Sequence, residues 1–265
     1  MNGLQRGLVV LETLALNGCE MGVSELARSI KTDKSAVFRS LATLASAGYV
    51  VQDPETKKYR PTSRLVALGS AVLGKIDLRE TARPFLTRLV ELTGYTSHLA
   101  SLAEGRPEEV VYLDQATRSS AAIMVNIRVG RVAPSHCSAT GKAILAFLPA
   151  DQLSRLVGEF PSYTPRTLTS GAALRFHLEA VRALGYAVDD EEYREGIRCL
   201  AAPVLDHTGG VVAAVGLSGP ATDLQLEHIP RLARIVIEQA DELSTALGYA
   251  GRPGADTLVI ASSGR

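Results

Sequence analysis

Residues 23–61 read VSELARSIKTDKSAVFRSLATLASAGYVVQDPETKKYRP, and this stretch decides the architecture of the N-terminal part of the chain. Val23, Leu26, Ala27 and Ile30 return every three or four residues, the spacing of one helix face, with Ser24 expected to cap the start. Lys31, Thr32 and Asp33 form a turn, and a second stripe of Val37, Leu41, Leu44 and Ala45 predicts another helix that Gly48 stops. Tyr49, Val50 and Val51 then predict a strand, Asp53 to Lys57 a turn, and Lys58, Tyr59 and Arg60 the return strand. Two short helices followed directly by a small basic hairpin is the order of a winged helix-turn-helix, so DNA is the first partner to test. Upstream, Leu4, Leu8, Leu11, Leu14 and Ala15 lie on one face of a helix expected over residues 3–16.

The helix that begins at Lys34 divides its residues as a groove reader requires. Its apolar stripe would lock against the preceding helix, while Lys34, Ser35, Phe38, Arg39 and Ser40 occupy the opposite face. Ser35 and Arg39 stand one helical turn apart. In the hairpin, Lys57, Lys58 and Arg60 could meet phosphates beside the groove.

The chain has 265 residues, long for one domain and comfortable for two, with 46% hydrophobic and 21% charged residues and a formal net charge of zero. Residues 1–62 hold eight Lys or Arg against six Asp or Glu, a bias of the expected sign but too small to argue DNA binding alone. There is no basic N-terminal region followed by an apolar run and no apolar stretch of bilayer-spanning length, so a cytoplasmic protein with no membrane partner is expected. Cys19, Cys137 and Cys199 are odd in number and far apart, which argues for reduced thiols rather than a disulfide framework or a zinc site.

The expected layout is a DNA-binding domain over 1–62, a stiff helical linker over 63–77, a second domain over 78–250 and a mobile tail over 251–265. Leu65, Leu68, Val72 and Ile76 give the linker its helical period, and a helix over 78–92 turns Phe85, Leu86, Leu89 and Leu92 toward a core. Beyond Gly94 the pattern changes to strands at 98–102, 110–113 and 122–127. Helices over 138–147, 151–157 and 172–184 follow, then strands at 186–188, 200–205 and 211–217, and a closing helix carrying Ile229, Leu232, Val236, Ala240, Leu243 and Leu247. The fold class is α+β, an antiparallel sheet with helices on one side.

Two segments of the second domain concentrate chemistry. Ser135-His136-Cys137-Ser138-Ala139-Thr140-Gly141-Lys142 sits at a strand-to-helix junction, where free backbone N–H groups favour anions such as a carboxylate. The run Asp189-Asp190-Glu191-Glu192 reads as a solvated loop, and His136 and His207 lack partners at metal-ligand spacing, so neither metal nor cofactor is expected. A Cys137 or Cys199 nucleophile with His136 as base is the enzymatic alternative, and a thiol-based redox sensor is its relative; neighbours on a strand point to opposite faces, which counts against His136 and Cys137 acting together, and no catalytic residue is assigned.

Taken in order, several segments resemble the IclR-type transcriptional regulators. They are Arg6-Gly7-Leu8-Val9-Val10-Leu11-Glu12, Ser24-Glu25-Leu26-Ala27, Lys34-Ser35-Ala36-Val37-Phe38-Arg39, and Gly48-Tyr49-Val50 through Tyr59-Arg60. The second domain adds Val111-Tyr112-Leu113-Asp114, His136 through Ala143, Gly185 through Glu192, Gly196 through Pro203 and Ser218-Gly219-Pro220. The resemblance covers nearly the whole chain. It implies a winged helix joined to a GAF-like effector domain, assembled as homodimers or homotetramers on palindromic double-stranded DNA operators. It further implies a small-molecule effector held by Ala139, Thr140, Asp189, Cys199 and Ser218, with Val125, Ala133 and Ile197 as apolar wall. Where some members carry a second serine this chain has Gly216, which is expected to leave volume for a carboxylate larger than glyoxylate or pyruvate, such as an aromatic one. Phe38 stands where members often have tyrosine, so it is expected to pack against sugar or a thymine methyl.

Overall fold

The computed structural model describes residues 1–73, 77–117, 129–154, 156 and 158–251, and it divides into two compact units, Met1–Ile76 and Asp77–Arg265. Unit one runs α1 (Gly3–Asn17), α2 (Val23–Ser29), α3 (Lys34–Ser46), β1 (Val50–Gln52), β2 (Tyr59–Pro61) and α4 (Arg64–Leu73). Its core gathers Val10, Leu14, Leu26, Val37, Leu41, Val50 and Tyr59. Each fully buried leucine there contributes about 2 kcal/mol through removal of apolar surface from water.

On α1 the covered face runs through Val10 and Leu14, and Leu4 and Leu8 are 75% and 52% exposed. Two readings need correction in this unit. Gly22, not Ser24, stands at the start of α2, and the Glu25 carboxylate accepts the Gly22 N–H at 2.7 Å, which satisfies a helix-start donor without Ser24. Ser40 is buried, its hydroxyl donating to the Ala36 carbonyl at 3.2 Å. The hairpin pairs Val51 with Arg60, and Met21 adds a bridge to Tyr59 that ties it to the segment before α2. The start of α4 is pinned to the end of α3, since the Thr62 hydroxyl donates to the Gly48 carbonyl at 2.6 Å and the Arg64 guanidinium lies 5.1 Å over the Tyr49 ring. Residues 74–76 of the expected linker helix lie outside the described residues.

Unit two opens with α5 (Leu78–Thr93), in which Asp77 accepts the N–H groups of Arg79 and Glu80, and Gly94 adopts φ 79° to end the helix. Ala82, Leu86, Leu89 and Val90 form its buried face, whereas Leu92 is 47% exposed and Phe85 only half-buried. The strands β3 (Thr96–Ala103), β4 (Arg106–Ala116), β5 (Val132–Pro134), β6 (Ala187–Asp190), β7 (Ile197–Leu205) and β8 (Val211–Pro220) build one antiparallel sheet in the order β5-β4-β3-β8-β7-β6. Between them come α6 (Ala139–Leu145), α7 (Ala150–Leu153) and α8 (Gly171–Leu184), and α9 (Ile229–Ala246) closes the unit. The strand expected over 122–127 and the tail from 252 lie outside the described residues.

Helices cover both faces of this sheet rather than one. Ala100, Cys199, Ala201 and Ala214 point into the cluster formed with α6 and α8. On the other face the Ser97 hydroxyl donates to Leu86 of α5, and the Leu205 N–H donates to the Ser244 hydroxyl of α9. Both sets of strand residues are therefore buried, which explains near-continuous apolar runs such as Leu200-Ala201-Ala202 instead of strict alternation. The approach of α6 is set by Gly141, where a Cβ would lie 2.3 Å from both Cα and O of Ser135. Gly141→Ala is expected to lower the stability of this unit by about 2 kcal/mol or more through overpacking, read from urea unfolding by circular dichroism. An unchanged midpoint would contradict so close an approach.

Candidate effector site and DNA-reading surface

The chemistry of unit two lies on the sheet face under α6. Strand register places Asp189 of β6 opposite Cys199 of β7, and Cys199 opposite Ser218 of β8, so three polar side chains form a row across the strands. The row continues by contact: Cys199 Sγ lies 3.1 Å from Ser218 Oγ, which lies 3.4 Å from His98 Nδ1 on β3. The His98 ring then meets Tyr112 of β4 edge-on at 5.4 Å. All of these residues are buried. His98 and Tyr112 were missed by reasoning from sequence.

Burial governs the protonation of the row. It pushes His98 down to about 4, leaving a neutral imidazole, and drives the thiols of Cys137 and Cys199 upward, so both stay protonated. The same cause, opposed by the charge of Lys142, pushes the Asp189 carboxyl up to about 7. Asp189 Oδ1 accepts the N–H groups of Glu192 at 2.7 Å and Tyr193 at 3.2 Å, which fixes the turn after β6. Lys142 of α6, with no exposed side-chain surface, donates to Glu192.

The acidic run is therefore not a solvated loop. Asp189 and Glu192 are buried, while Asp190 and Glu191 pair with Arg166 and Arg198. Thr140 Oγ1 and Glu192 Oε2 are buried without a hydrogen-bond partner among the described residues, although Thr140 lies close enough to the Tyr112 phenol to oppose the upward push of burial there. Buried polar atoms are normally partnered, so both are exceptions with unused hydrogen-bonding capacity.

Of the residues expected at the effector, Ala133, Ala139, Thr140, Asp189, Cys199 and Ser218 are buried and Ile197 half-buried, and all but Thr140, Asp189 and Ser218 also belong to the apolar cluster beneath α6; Val125 lies outside the described residues. The expected extra volume at Gly216 is not there. A Cβ on Gly216 would lie 2.5 Å from the Leu200 carbonyl oxygen and 2.9 Å from the Ala201 Cβ, so the glycine reflects close strand packing and enlarges no cavity. His136 does not serve Cys137 as a base in this arrangement, because its Nε2 lies 3.1 Å from the Pro161 carbonyl and its ring stacks on Phe160.

In unit one, Lys34, Ser35, Phe38 and Arg39 are all exposed on α3, with Phe38 at 56%. The hairpin cations differ among themselves. Lys58 approaches Glu25 at 3.9 Å and Arg60 approaches Glu20 at 3.4 Å, whereas Lys57, held at φ 58° in the turn, has no ion pair among the described residues.

Comparison with known proteins decides the identity of this arrangement. Residues 3–54 match the IclR helix-turn-helix domain, and residues 70–245 match the bacterial transcriptional regulator IclR C-terminal domain. The chain belongs to the IclR family of transcriptional regulators. It is 35% identical over 251 residues to the HTH-type transcriptional regulator XynR of Escherichia coli K12, covering 94% of this chain and 98% of that one. To the regulator KdgR of the same organism it is 34% identical over 236 residues, 88% of each chain. The crystal structure of the Agobacterium tumefaciens repressor BlcR superposes with a TM-score of 0.78 at 26% identity, covering 94% of this chain and 98% of that one. The IclR family is one of regulators, not enzymes, and among the described residues no helix is long and apolar enough to cross a membrane.

The raised Asp189 carboxyl has a consequence for stability. Folded Asp189 keeps its proton up to about pH 7 while the unfolded carboxyl loses it near 3.8, so between those values the folded state binds more protons and stability falls as pH rises. Asp189→Asn is expected to flatten this slope and to melt above the wild type at about pH 8, in thermal unfolding followed across pH. A wild-type slope retained in the variant would place the titration elsewhere.

Proposed function

We propose that this IclR-family regulator reads a palindromic double-stranded DNA operator through Lys34, Ser35, Phe38 and Arg39, with Lys57, Lys58 and Arg60 on the phosphate backbone. The observation that carries the reading is the division of α3: Val37 and Leu41 are fully buried while those four side chains face solvent. Arg39 supplies bidentate donors, Ser35 a short hydroxyl one turn before it, and Phe38 an apolar edge for sugar or a thymine methyl. The contacts of Lys58 and Arg60 with Glu25 and Glu20 are surface pairs of small worth, which phosphate oxygens can replace.

The effector is a small carboxylate-bearing molecule lodged at Ala139, Thr140, Asp189, Cys199 and Ser218, with Ala133, Ile197 and Val125 as apolar wall. Support comes from the buried Thr140 hydroxyl, which has no hydrogen-bond partner among the described residues, and from the neutral Ser218 hydroxyl in the row, both of which can donate to a carboxylate. Segments 1–62, 63–77 and 78–250 act as reader, linker and sensor, with 251–265 as a tail. Exposed Leu4, Leu8, Val66 and Leu68 favour assembly as a homodimer or homotetramer, and binding to an operator puts the protein in the cytoplasm. A thiol sensor is disfavoured, since burial keeps the Cys137 and Cys199 thiols from ionising.

Arg39→Ala is expected to weaken specific operator binding by about 1–3 kcal/mol while unit two melts as in the wild type. Lys57→Ala should weaken binding to all sequences alike and lower the salt dependence by about one phosphate contact, measured by anisotropy at several salt concentrations. Unchanged operator affinity in Arg39→Ala would remove Arg39 from the reading residues.

A further inference from the structure

Sharing Ala133 with the expected effector residues, and carrying Tyr193, whose N–H donates to Asp189 of the polar row, is a cavity of about 300 Å³. Its walls carry four rings, those of His136, Phe160, Tyr163 and Tyr193, and two carboxylates, Glu108 and Glu109. His136 stacks on Phe160 at 4.8 Å and lies 6.0 Å from Tyr163, and Tyr193 meets Tyr163 at 5.2 Å with an interplanar angle of 77°. The aromatic surface thus turns a near-right-angled corner. No Lys or Arg among the described residues lines the cavity. Arg106, outside the lining, reaches Glu109 at 2.7 Å, while Glu108 has no ion pair among the described residues.

The chemistry of such a lining is selective. Aromatic faces carry negative quadrupole charge and attract cations, more strongly where water is excluded. Carboxylates on the same wall attract a cation and repel an anion. The His136 ring adds to this surface rather than opposing it, since burial and the charge of Lys142 hold it neutral. A cavity lined only by alkyl groups would take an apolar ligand and gain nothing from acids at its wall. A site for an acid would offer Arg or Lys here.

We propose that this cavity is a subsite for a small organic ammonium ion, held against the Tyr163 and Tyr193 rings and balanced by Glu108 and Glu109. The proposal rests on the effector reading and narrows it, because a molecule that carries its carboxylate to the Thr140 and Ser218 hydroxyls and its ammonium to this cavity satisfies both regions. Such an effector is a zwitterion rather than a simple acid.

The test is thermal unfolding of the full chain with choline chloride, compared at equal ionic strength with sodium chloride, sodium benzoate, and the uncharged isostere 3,3-dimethyl-1-butanol. Choline alone should raise Tm along a saturable curve, and Tyr193→Leu should weaken its apparent affinity about ten-fold. A shift from the isostere equal to that from choline, a larger shift from benzoate, or no shift with choline would overturn the cation site. Should Tyr193→Leu fail to fold, the wild-type contrast between choline and its isostere still decides. Operator binding on the same preparations separates the two readings. Specific operator binding without a choline shift would overturn the cation site alone, and a choline shift in a chain that binds no operator would uphold the site and overturn the proposed operator reading.

Discussion

The buried pair of Lys142 and Glu192 is the constraint on which the second unit depends. A fully buried ammonium inside α6 is tolerable only with an anion in contact, and that anion comes from the turn after β6, fifty residues further on. The pair joins the helix above the sheet to the edge strand below it. From the same turn, the N–H groups of Glu192 and Tyr193 hold Asp189, so the carboxyl at the end of the polar row is positioned by the segment that neutralises Lys142. Outside, Asp190 and Glu191 engage Arg198 and Arg166, and Arg198 reaches on to the carbonyls of Ala221 and Leu224. Buried ion pairs are poor sources of net stability. The arrangement is better understood as one that fixes the geometry of the site proposed for the effector.

The two units follow different logics. Unit one buries a small apolar core and leaves its chemistry outside, on the free face of α3 and in the hairpin turn. Unit two covers its sheet on both faces and keeps its chemistry inside, in side chains whose ionisation is suppressed by burial. An exposed charged surface suits a large polyanion that arrives from solvent. An enclosed row with unpartnered oxygens suits a small molecule that must shed its water to enter.

Unit one was legible because helical periodicity and turn glycines act locally. Val37 and Leu41 facing inward leave Lys34, Ser35 and Arg39 no place but outside. Periodicity marks a face as apolar without saying that anything covers it, and Leu4 and Leu8 lie on the expected apolar face yet are exposed. In unit two the effector positions came from resemblance, and the residues alone misread the acidic run, since the partner that buries Glu192 is distant in sequence. A signal was present in Ala139-Thr140-Gly141-Lys142-Ala143-Ile144-Leu145, where one cation sits in an otherwise uncharged helix and calls for a buried anion elsewhere. Nothing comparable marks His98 or Tyr112, whose roles follow from strand order, and Gly216 shows that a missing side chain need not leave a hole.

The central claim is that a molecule bound in unit two alters the grip of unit one on DNA, and such coupling is reciprocal. The most direct measurement is a closed cycle: the affinity for operator with and without a saturating ligand found by thermal shift, and the affinity for that ligand with and without operator. The account predicts the same factor along both routes, different from one. A ligand that saturates unit two through the Thr140 and Ser218 region yet leaves operator affinity unchanged would contradict it.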